Sequence, residues 1–252
     1  MEAKEYRLMY STEECHWYFK GKRKIIFPQM EELLGNSKNL KILDIGCGTG
    51  IIMREMQKYG TVFGIDIEML ALQLCKKRGL LNLSKSSAVN APFKDASFDI
   101  VTIFDILYHK AIKNDKDVLA EAFRILKPNG TLVITDSADI GVKSRHDLAT
   151  HTRERYTAKK MINRLEASGL KVTKITHYNS ILLPFIYIMR RVDNAINKGK
   201  PPASDIKKTN KMLNSILYFP FIIESFIIKF FDIPFGVSIF CIAKKPSIAY
   251  RK

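Results

Sequence analysis

The feature that most constrains this chain is a short apolar strand that runs into three alternating glycines. Residues 40–50 read Leu-Lys-Ile-Leu-Asp-Ile-Gly-Cys-Gly-Thr-Gly. Glycine at alternate positions lets the backbone turn tightly and approach a ligand where a Cβ would collide. A helix predicted from Ile51 to Tyr59 would point its free N–H groups at that ligand. A strand, a glycine loop and a helix in this order predict an α/β fold that holds a nucleotide-like cofactor.

The spacing of the glycines separates the cofactor classes that such loops hold. A dinucleotide fingerprint requires glycine where this chain has Ile51, and the Gly-Lys-Ser/Thr of a P-loop does not follow. The run instead resembles motif I of the class I S-adenosylmethionine-dependent methyltransferases, an acidic residue followed by Gly-x-Gly-x-Gly. A glycine-rich turn without a ligand is the alternative. The resemblance implies S-adenosylmethionine as the cofactor and assigns these loop residues to it: Asp44, Gly46, Cys47, Gly48 and Gly50.

A second short apolar strand ends in an acidic residue. Residues 61–66 read Thr-Val-Phe-Gly-Ile-Asp, at a distance from the glycines that is typical of nucleotide-binding folds. A carboxylate there can accept two charge-assisted hydrogen bonds from a ribose diol. The family resemblance assigns this role to Asp66, with Ile67 beside it at the cofactor. An exposed aspartate at a strand end is the structural alternative.

Downstream residues resemble the same family. Residues 87–101 are similar to its segment Gly-Asp-Ala-x-x-Leu-Pro-Phe, followed by Phe-Asp-x-Val at the start of the fourth strand. Ser87 stands where the family often has an aspartate near the adenine, and the resemblance still assigns Ser87 and Ala88 to that ring. The fourth strand ends at Phe104 and Asp105. Open α/β sheets bind ligands at the carboxyl ends of their strands, so both residues are expected at the cofactor.

The order of the elements predicts the fold. A helix over 114–126, a Lys-Pro-Asn-Gly turn and a strand over 130–135 follow. The resemblance implies a Rossmann-like seven-stranded methyltransferase sheet with helices on both faces, and a cofactor-binding core over 41–180. More than fifty residues separate the sixth strand, which ends near Asn179, from a last strand at 236–243. We therefore expect an apolar helical insertion before the last strand.

Residues 1–40 are expected to form an N-terminal helical extension or lid. Residues 14–26 read Glu-Cys-His-Trp-Tyr-Phe-Lys-Gly-Lys-Arg-Lys-Ile-Ile. They resemble the His-Trp-aromatic-Phe-x-Gly-basic-Arg segment of the methyltransferase type 11-like group. Aromatic rings near the sulfonium and bases that steer an anion would make this segment a lid, with Trp17 and Tyr18 at the substrate. An amphipathic helix that packs its aromatic residues on the sheet is the equal alternative.

Residues near the ends of the fourth and fifth strands are candidates for acceptor chemistry. A His-x-Arg-x-Arg-Tyr-Thr run follows the fifth strand, where relatives in the same group take their acceptor. Histidine is a neutral base at pH 7, which only a protonated nucleophile such as a hydroxyl requires. A structural role is the alternative for each candidate. The catalytic candidates are His109, His151 and Tyr156, and the substrate-binding candidates on this side are His146 and Arg155.

Residues 181–235 are expected to form a helical cap, and residues 236–252 a final strand and basic tail. The cap contains two apolar stretches, but Pro220, Glu224 and Lys229 argue against a membrane span. Basic residues surround these stretches, and the net charge of +16 favours contact with anionic lipid. The cap is therefore expected to lie on an anionic membrane, to cover the acceptor pocket, or to do both.

Composition agrees with a cytosolic enzyme of 252 residues. Its four cysteines are scattered without Cys-x-x-Cys pairs, so neither a zinc site nor a disulfide framework is predicted. No other metal-ligand spacing appears, and we expect no metal. The first fourteen residues are charged and predict no signal peptide. We expect a cytoplasmic protein, peripheral at the inner face of the membrane if the cap binds lipid.

Three functions remain open on the sequence. The first is methyl transfer to a small-molecule or lipid-linked acceptor at a membrane surface. The second is an RNA or protein methyltransferase, which the positive charge favours. Against it, the fourth strand lacks the Asn/Asp-Pro-Pro-Tyr tetrad used for flipped bases or amide nitrogens, and no separate nucleic-acid module is present. The third is a non-catalytic cofactor-binding protein, against which the glycine loop and Asp66 argue.

Overall fold

The computed structural model describes residues 3–35, 37–197, 200–201 and 209–247. Parts of the predicted extension, cap and basic tail therefore lie outside the described residues. The strands in chain order are β1 (Leu40–Ile45), β2 (Gly60–Asp66), β3 (Leu83–Lys85), β4 (Phe98–Phe104), β5 (Leu126–Ser137), β6 (Lys171–Tyr178) and β7 (Ser238–Lys244). They form a seven-stranded sheet in the order β3-β2-β1-β4-β5-β7-β6. Strand β7 is antiparallel to β5 and β6, and the other pairs are parallel.

Helices precede, connect and interrupt these strands. A 3-10 turn at Gln57–Tyr59 continues α3, so the helix predicted after the glycine loop is confirmed with a tighter last turn. In the described part of the chain the helices are α1 (Ala3–Thr12), α2 (Trp17–Leu34), α3 (Ile51–Met56), α4 (Met69–Lys77), α5 (Asp115–Ile125), α6 (Arg145–Ala149), α7 (Ala158–Ala167), α8 (Leu183–Ile196) and α9 (Lys211–Ile227).

Helices cover both faces of the sheet because its strands are apolar on both sides. On one face, α5 and α7 bury side chains such as Val118 and Leu165 against β1, β4 and β5. On the other face, α2, α3 and α9 contribute side chains such as Ile26 and Phe221 to a second cluster. Along the chain, helices α8 and α9 lie between β6 and β7. The predicted fold, including the helical insertion before the last strand, is confirmed. The division into four segments stays a prediction.

The carboxyl ends of β1, β2 and β4 meet at one edge of the sheet. Strand β1 lies between β2 and β4, and the chain passes from β3 on one side to β4 on the other. This arrangement makes the edge at β1 and β4 a topological switch point, where open α/β sheets bind their ligands. The glycine loop leaves β1 at this point.

The N-terminal segment and the cap meet on the second face of the sheet. Helices α2 and α9 cross closely because Gly21 has no side chain; a Cβ there would lie 2.4 Å from the Phe221 ring. The Trp17 ring lies 5.9 Å from the same phenylalanine, centroid to centroid. The backbone N–H of Trp17 donates a 2.8 Å hydrogen bond to Asn214 Oδ1. Trp17 therefore ties the aromatic segment to the cap.

Candidate cofactor and acceptor site

Glycine is required at the three loop positions for different structural reasons. All adopt left-handed conformations, with φ of 74° at Gly46, 54° at Gly48 and 83° at Gly50, which side chains rarely adopt. A Cβ on Gly46 would lie 2.5 Å from the Ile106 side chain, and one on Gly50 would lie 2.5 Å from a leucine methyl. The atom nearest to a Cβ on Gly48 would be Met9 Cε, at 3.4 Å. Packing thus requires the outer two glycines, and Gly48 faces the space beneath α1.

Asp66 ends β2 beside this loop. Its Oδ2 accepts the Gly48 N–H at 3.0 Å, and its Oδ1 accepts the Glu68 N–H at 2.9 Å. The residue is 6% exposed, and burial raises the pKa of its carboxyl in spite of these bonds. The neighbouring Ile67 is 57% exposed. The residue predicted to bind a ribose therefore lies against the glycine loop, with an exposed apolar side chain next to it.

Asp44 lies near the end of β1 and is buried. The Thr102 hydroxyl donates a 2.6 Å hydrogen bond to Asp44 Oδ1. Burial raises the pKa of Asp44 to about 7, against the opposing effects of this hydrogen bond and of the nearby Lys22 charge. Its charge therefore changes near neutral pH and responds to any cation that enters the crevice.

Asp105 follows β4 in a left-handed conformation, with φ of 55°. Lys22 of α2 pairs with it, Nζ to Oδ2, at 2.6 Å. The Thr135 hydroxyl donates to Asp105 Oδ1 at 3.0 Å. The Lys22 side chain is 8% exposed, and its ammonium lies 5.3 Å from the centroid of the Phe104 ring. The end of β4 thus presents a cation and a carboxylate side by side, an arrangement complementary to the zwitterion of an amino acid.

Helix α1 and the residues after it close over the glycine loop. Tyr6 is buried against α4. Glu13, only 2% exposed, accepts hydrogen bonds of 2.5 Å from Thr49 Oγ1 and from Arg78 Nη2. Arg78 Nε also donates to the Thr49 carbonyl at 2.9 Å. A buried ion pair therefore fastens the N-terminal segment to the loop.

Ser87 and Ala88 follow β3 in a short turn. The Asn90 N–H donates to the Ser87 carbonyl at 3.2 Å, and the Val89 N–H donates to Ser87 Oγ at 3.4 Å. Both predicted adenine contacts are partly buried. The Ser87 side chain thus also shapes this turn.

His109 and His151 come together although they lie on different loops. Their ring centroids are 5.7 Å apart at an interplanar angle of 74°, and the Lys110 N–H donates to the His151 carbonyl at 2.9 Å. Burial lowers the pKa of His109 to about 4, so this imidazole is neutral at pH 7. Its Nδ1 accepts the Ala111 N–H at 3.1 Å, and its buried Nε2 has no hydrogen-bond partner among the described residues. Because Nδ1 accepts this hydrogen bond, the proton of the neutral ring lies on Nε2, which is therefore a donor.

Tyr156 and Arg155 form hydrogen bonds that join separate segments of the structure. The fully buried Tyr156 donates its hydroxyl to Asp115 Oδ2 at 2.8 Å, which supports the start of α5. Arg155 donates to Asp147 Oδ1 at 2.9 and 2.5 Å, and to the Ala138 carbonyl at 3.1 Å. These contacts join α6 to the end of β5. The roles predicted for both residues at the acceptor stay predictions.

Of the remaining substrate-side candidates, Trp17 and Tyr18 are in edge-to-face ring contact at 5.9 Å, and His146 lies in a separate helix. Burial raises the pKa of Tyr18, and the negative charge of Asp105 adds to this effect. Trp17 packs on α9. His146 lies in α6, where its carbonyl accepts the Thr150 N–H at 2.8 Å. Acceptor contacts of Trp17, Tyr18 and His146 stay predictions.

Known proteins match the central part of this chain. Residues 43–134 match a family model described as "Methyltransferase domain". The demethylmenaquinone methyltransferase of Lactiplantibacillus plantarum is 31% identical over 113 residues, which cover 40% of this chain and 47% of that protein. The mitochondrial ubiquinone biosynthesis O-methyltransferase of Schizosaccharomyces pombe is 32% identical over 103 residues, 38% of this chain and 37% of that protein. The matches span less than half the length of either relative.

A solved structure extends the comparison to most of the fold. The S-adenosylmethionine dependent methyltransferase from Mesorhizobium loti has a TM-score of 0.56 at 15% identity, over 86% of this chain and 96% of that chain. At this identity the likeness shows a shared fold. Residues 43–134 carry a methyltransferase domain, and the chain shares the fold of an S-adenosylmethionine dependent methyltransferase. The family predicted from the glycine loop is therefore confirmed.

The methyltransferase domain also uses residues that the sequence did not single out. Lys22 and Glu13 contact Asp105 and Arg78 across long stretches of chain. Asp136, fully buried, accepts the Leu107 N–H at 3.0 Å and so holds the loop after β4. Lys22 stood in a basic cluster, and Asp136 stands at the carboxyl end of a strand; those were the available signals.

No metal centre and no membrane span are found in the described part of the chain. No group of three or more His, Cys, Asp or Glu side chains in those ranges is arranged to hold a metal ion. Among the same residues, every helix is too short or too polar to cross a bilayer.

Proposed function

We propose that this protein is an S-adenosylmethionine-dependent methyltransferase that acts on a small-molecule or lipid-linked acceptor at a membrane surface. The observation that carries the proposal is the charge at the carboxyl edge of the sheet, where Asp44, Asp66 and Asp105 meet one lysine, Lys22. S-adenosylmethionine brings a sulfonium, an ammonium and a carboxylate, so its net positive charge suits three acids and one base. A dinucleotide would bring two phosphates, which the same carboxylates would repel.

Three of the four charged residues of the crevice would have a direct partner on such a cofactor. Asp66 would accept the two ribose hydroxyls, and the exposed Ile67 would offer an apolar surface to the adenine, next to Ser87 and Ala88. Lys22 would bind the methionine carboxylate, and Asp105 the ammonium, so their ion pair of 2.6 Å opens to admit the zwitterion. The backbone of the glycine loop, including Cys47, would lie along the part of the cofactor that joins the ribose to the methionine carboxylate and ammonium. The cradle beneath α1 at Gly48 fits this ligand, because no Cβ fills it.

The chain's own residues position the reaction. When bound, S-adenosylmethionine supplies a methyl group on a positively charged sulfur, which an oxygen, nitrogen or carbon nucleophile displaces. Alignment by the crevice is the main contribution, worth several kcal/mol. For a hydroxyl nucleophile, the candidate bases are His109 and His151, whose rings lie 5.7 Å apart. Burial lowers the pKa of His109 to about 4, so its ring is neutral at pH 7 but a weak base.

The acceptor class follows from the relatives and from the cap. The two relatives are named for demethylmenaquinone and ubiquinone synthesis, which supports a quinol-like, lipophilic acceptor. Helices α8 and α9 expose large apolar side chains, among them Ile196 at 71% and Met212 at 75%. The net charge of +16 suits an anionic lipid surface. We therefore propose that the protein works from the cytoplasm, peripherally at the inner face of the membrane.

We propose that four segments of the chain have different roles. Residues 1–40 act as the lid over the cofactor and 41–180 as the cofactor-binding core. Residues 181–235 act as the cap, and 236–252 supply the final strand and the tail. The contacts of Glu13 with the glycine loop support the lid.

Calorimetry with S-adenosylhomocysteine tests the cofactor. Asp66→Ala removes two charge-assisted hydrogen bonds to the ribose, so we expect about 100-fold weaker binding. Asp95→Ala, which removes a carboxylate that is 77% exposed, is the matched control and should change the affinity less than about two-fold. Binding of NAD(H), with none for S-adenosylhomocysteine, would contradict the proposal.

A labelled-methyl experiment tests the acceptor class. The protein, labelled S-adenosylmethionine and cell extract are incubated with and without anionic vesicles, and the products are identified by mass spectrometry. We expect the label in an organic-soluble small molecule, with more product when vesicles are present. Label in RNA or in protein would instead support the second function considered from the sequence, and cofactor binding without any product would support the third.

A further inference from the structure

A cavity of about 750 Å³ lies at the same edge of the sheet as the cofactor crevice, but over β5, β7 and β6. Its walls are mostly apolar and come from five separate segments. Side chains that define it include Ile140, Ala158, Leu183, Tyr187, Ile188 and Phe235. The volume lies within the range of about 300–1,000 Å³ that is typical of small-molecule sites.

The mouth of this cavity is continuous with the exposed apolar surface of the cap. Ile188 and Phe235 line the cavity and are 61% and 59% exposed. Phe185 and Met189 of α8, adjacent along the helix, are 57% and 55% exposed. An apolar molecule can therefore pass from a membrane in contact with α8 into the cavity without crossing a polar surface.

One wall of the cavity lies just after β5, the strand that also borders the cofactor crevice. Asp139 lines the cavity, and its N–H donates to the Tyr156 carbonyl at 3.0 Å. Four residues earlier, Thr135 donates to Asp105 at the end of β4. An extended chain covers that separation in about 13 Å. The head of a molecule whose tail fills the cavity would have to span about this distance to reach Asp105.

We propose that this cavity binds the apolar chain of an amphiphilic acceptor, which enters from the membrane between Ile188 and Phe235. The proposal rests on the proposed methyltransferase function and adds the shape of the substrate to it: a nucleophilic head joined to a long hydrocarbon tail. The tail provides the affinity by apolar burial, and the head extends along β5 to the crevice beside Asp105.

Photolabelling with a C16 alkyl diazirine probe tests the cavity in full-length protein without vesicles. We expect adducts concentrated on the peptides that carry residues 183–188 and 234–236. Ile188→Trp fills the mouth and should lower this labelling at least about five-fold, and Ala158→Leu, on the opposite wall, should do the same. The matched control Val192→Trp adds the same ring to the same helix outside the cavity and should keep the labelling. Even labelling of all exposed apolar surfaces, unchanged by Ile188→Trp, would overturn the proposal.

A second measurement connects the cavity to catalysis. The ratio of kcat/KM for demethylmenaquinol with its tail to that for the head group alone should fall about ten-fold in Ile188→Trp, while S-adenosylhomocysteine affinity is retained. An unchanged ratio would contradict a tail-binding cavity. The photolabelling needs no methyl transfer, so a protein that binds no S-adenosylhomocysteine yet is labelled in the cavity would refute the proposed function and not the chain-binding site.

Discussion

The helix pairs α5/α7 and α8/α9 differ in where their apolar side chains lie. Helix α7 buries Met161 and Leu165 against the sheet and leaves its lysines at the surface, as a helix of a globular protein does. In α8 the buried residue is Arg190, whereas Phe185 and Ile188 are 57% and 61% exposed. The first pair buries its apolar side chains within the protein. The second pair presents them outward, and those side chains require another apolar surface.

The buried face of α9 shows how such a helix is held. Glu224 is 1% exposed, and its carboxylate accepts the N–H groups of Asn179, Ser180 and Ile181 at 2.5, 2.6 and 2.7 Å. Burial raises the pKa of this carboxyl, and the three hydrogen bonds oppose that effect. In the core, apolar packing attaches the helices, whereas in the cap a buried carboxylate contributes to the attachment. A helix attached in this way can keep its apolar residues for a membrane.

Removing the carboxylate should have the largest effect on the cap. Glu224→Leu leaves three buried N–H groups without acceptors, and we expect a loss of about 4 kcal/mol in the free energy of unfolding. Urea unfolding measures this loss. The exposed Glu166 of α7 is the matched control, and Glu166→Leu should change stability by less than about 0.5 kcal/mol. Equal losses in the two variants would show that the cap and the core are held alike.

Placing charge on the outward face should abolish lipid binding. In the double variant Phe219→Asp/Phe226→Asp, two rings that are 60% and 64% exposed are removed from the membrane contact. At about 1.5 kcal/mol or more for each ring, partition onto anionic vesicles should fall about 100-fold in a co-sedimentation assay.

Leu81→Asp is the control for that experiment. Leu81 is 83% exposed but lies outside the cap, so its replacement should leave vesicle binding unchanged. Wild-type binding should also weaken at high salt, because basic residues contribute about 1 kcal/mol each near an anionic surface. If the double variant and wild type sediment equally, the outward apolar face does not contact lipid.

In the core, a buried carboxylate should make stability depend on pH. The folded-state pKa of Asp44 is raised to about 7 from an ordinary value of 3.8, so its contribution to stability is fully present below about pH 4 and is lost as pH rises through 7. Wild-type protein without cofactor should therefore lose about 2 kcal/mol between pH 5 and pH 8 relative to Asp44→Asn. Chemical unfolding at both pH values measures the difference. Parallel pH profiles for the two proteins would contradict a titrating Asp44.

The smallest expected effect concerns the lid. Glu13→Gln weakens the buried pair with Arg78 and the contact with Thr49, so the N-terminal segment should open more often. We expect about ten-fold faster release of S-adenosylhomocysteine, equivalent to about 1.4 kcal/mol, in stopped-flow measurements. Glu14, whose side chain is 57% exposed, is the adjacent control, and Glu14→Gln should change the rate less than about two-fold. Equal rates in both variants would mean that the segment is no lid.

The sequence by itself determined the parts of this protein that are continuous along the chain. Gly46, Gly48 and Gly50 follow β1 directly, and Asp66 ends the next strand, so this local pattern and its resemblance to a known family were sufficient to predict the fold and the class of cofactor. Such elements are defined by neighbours a few residues away, and backbone geometry leaves them few alternatives.

Only the tertiary structure decided which side chains of distant segments meet. Lys22 pairs with Asp105 across 83 residues, which no local pattern shows. Glu224 was interpreted from the sequence as a charge that argues against a membrane span, and the structure shows it as a buried anchor of α9. Periodicity reveals an apolar stripe on a helix, but not whether that stripe faces the core. That choice depends on what else can fill the core, and here the sheet is already covered by α2, α5 and α7 and by the small buried face of α9.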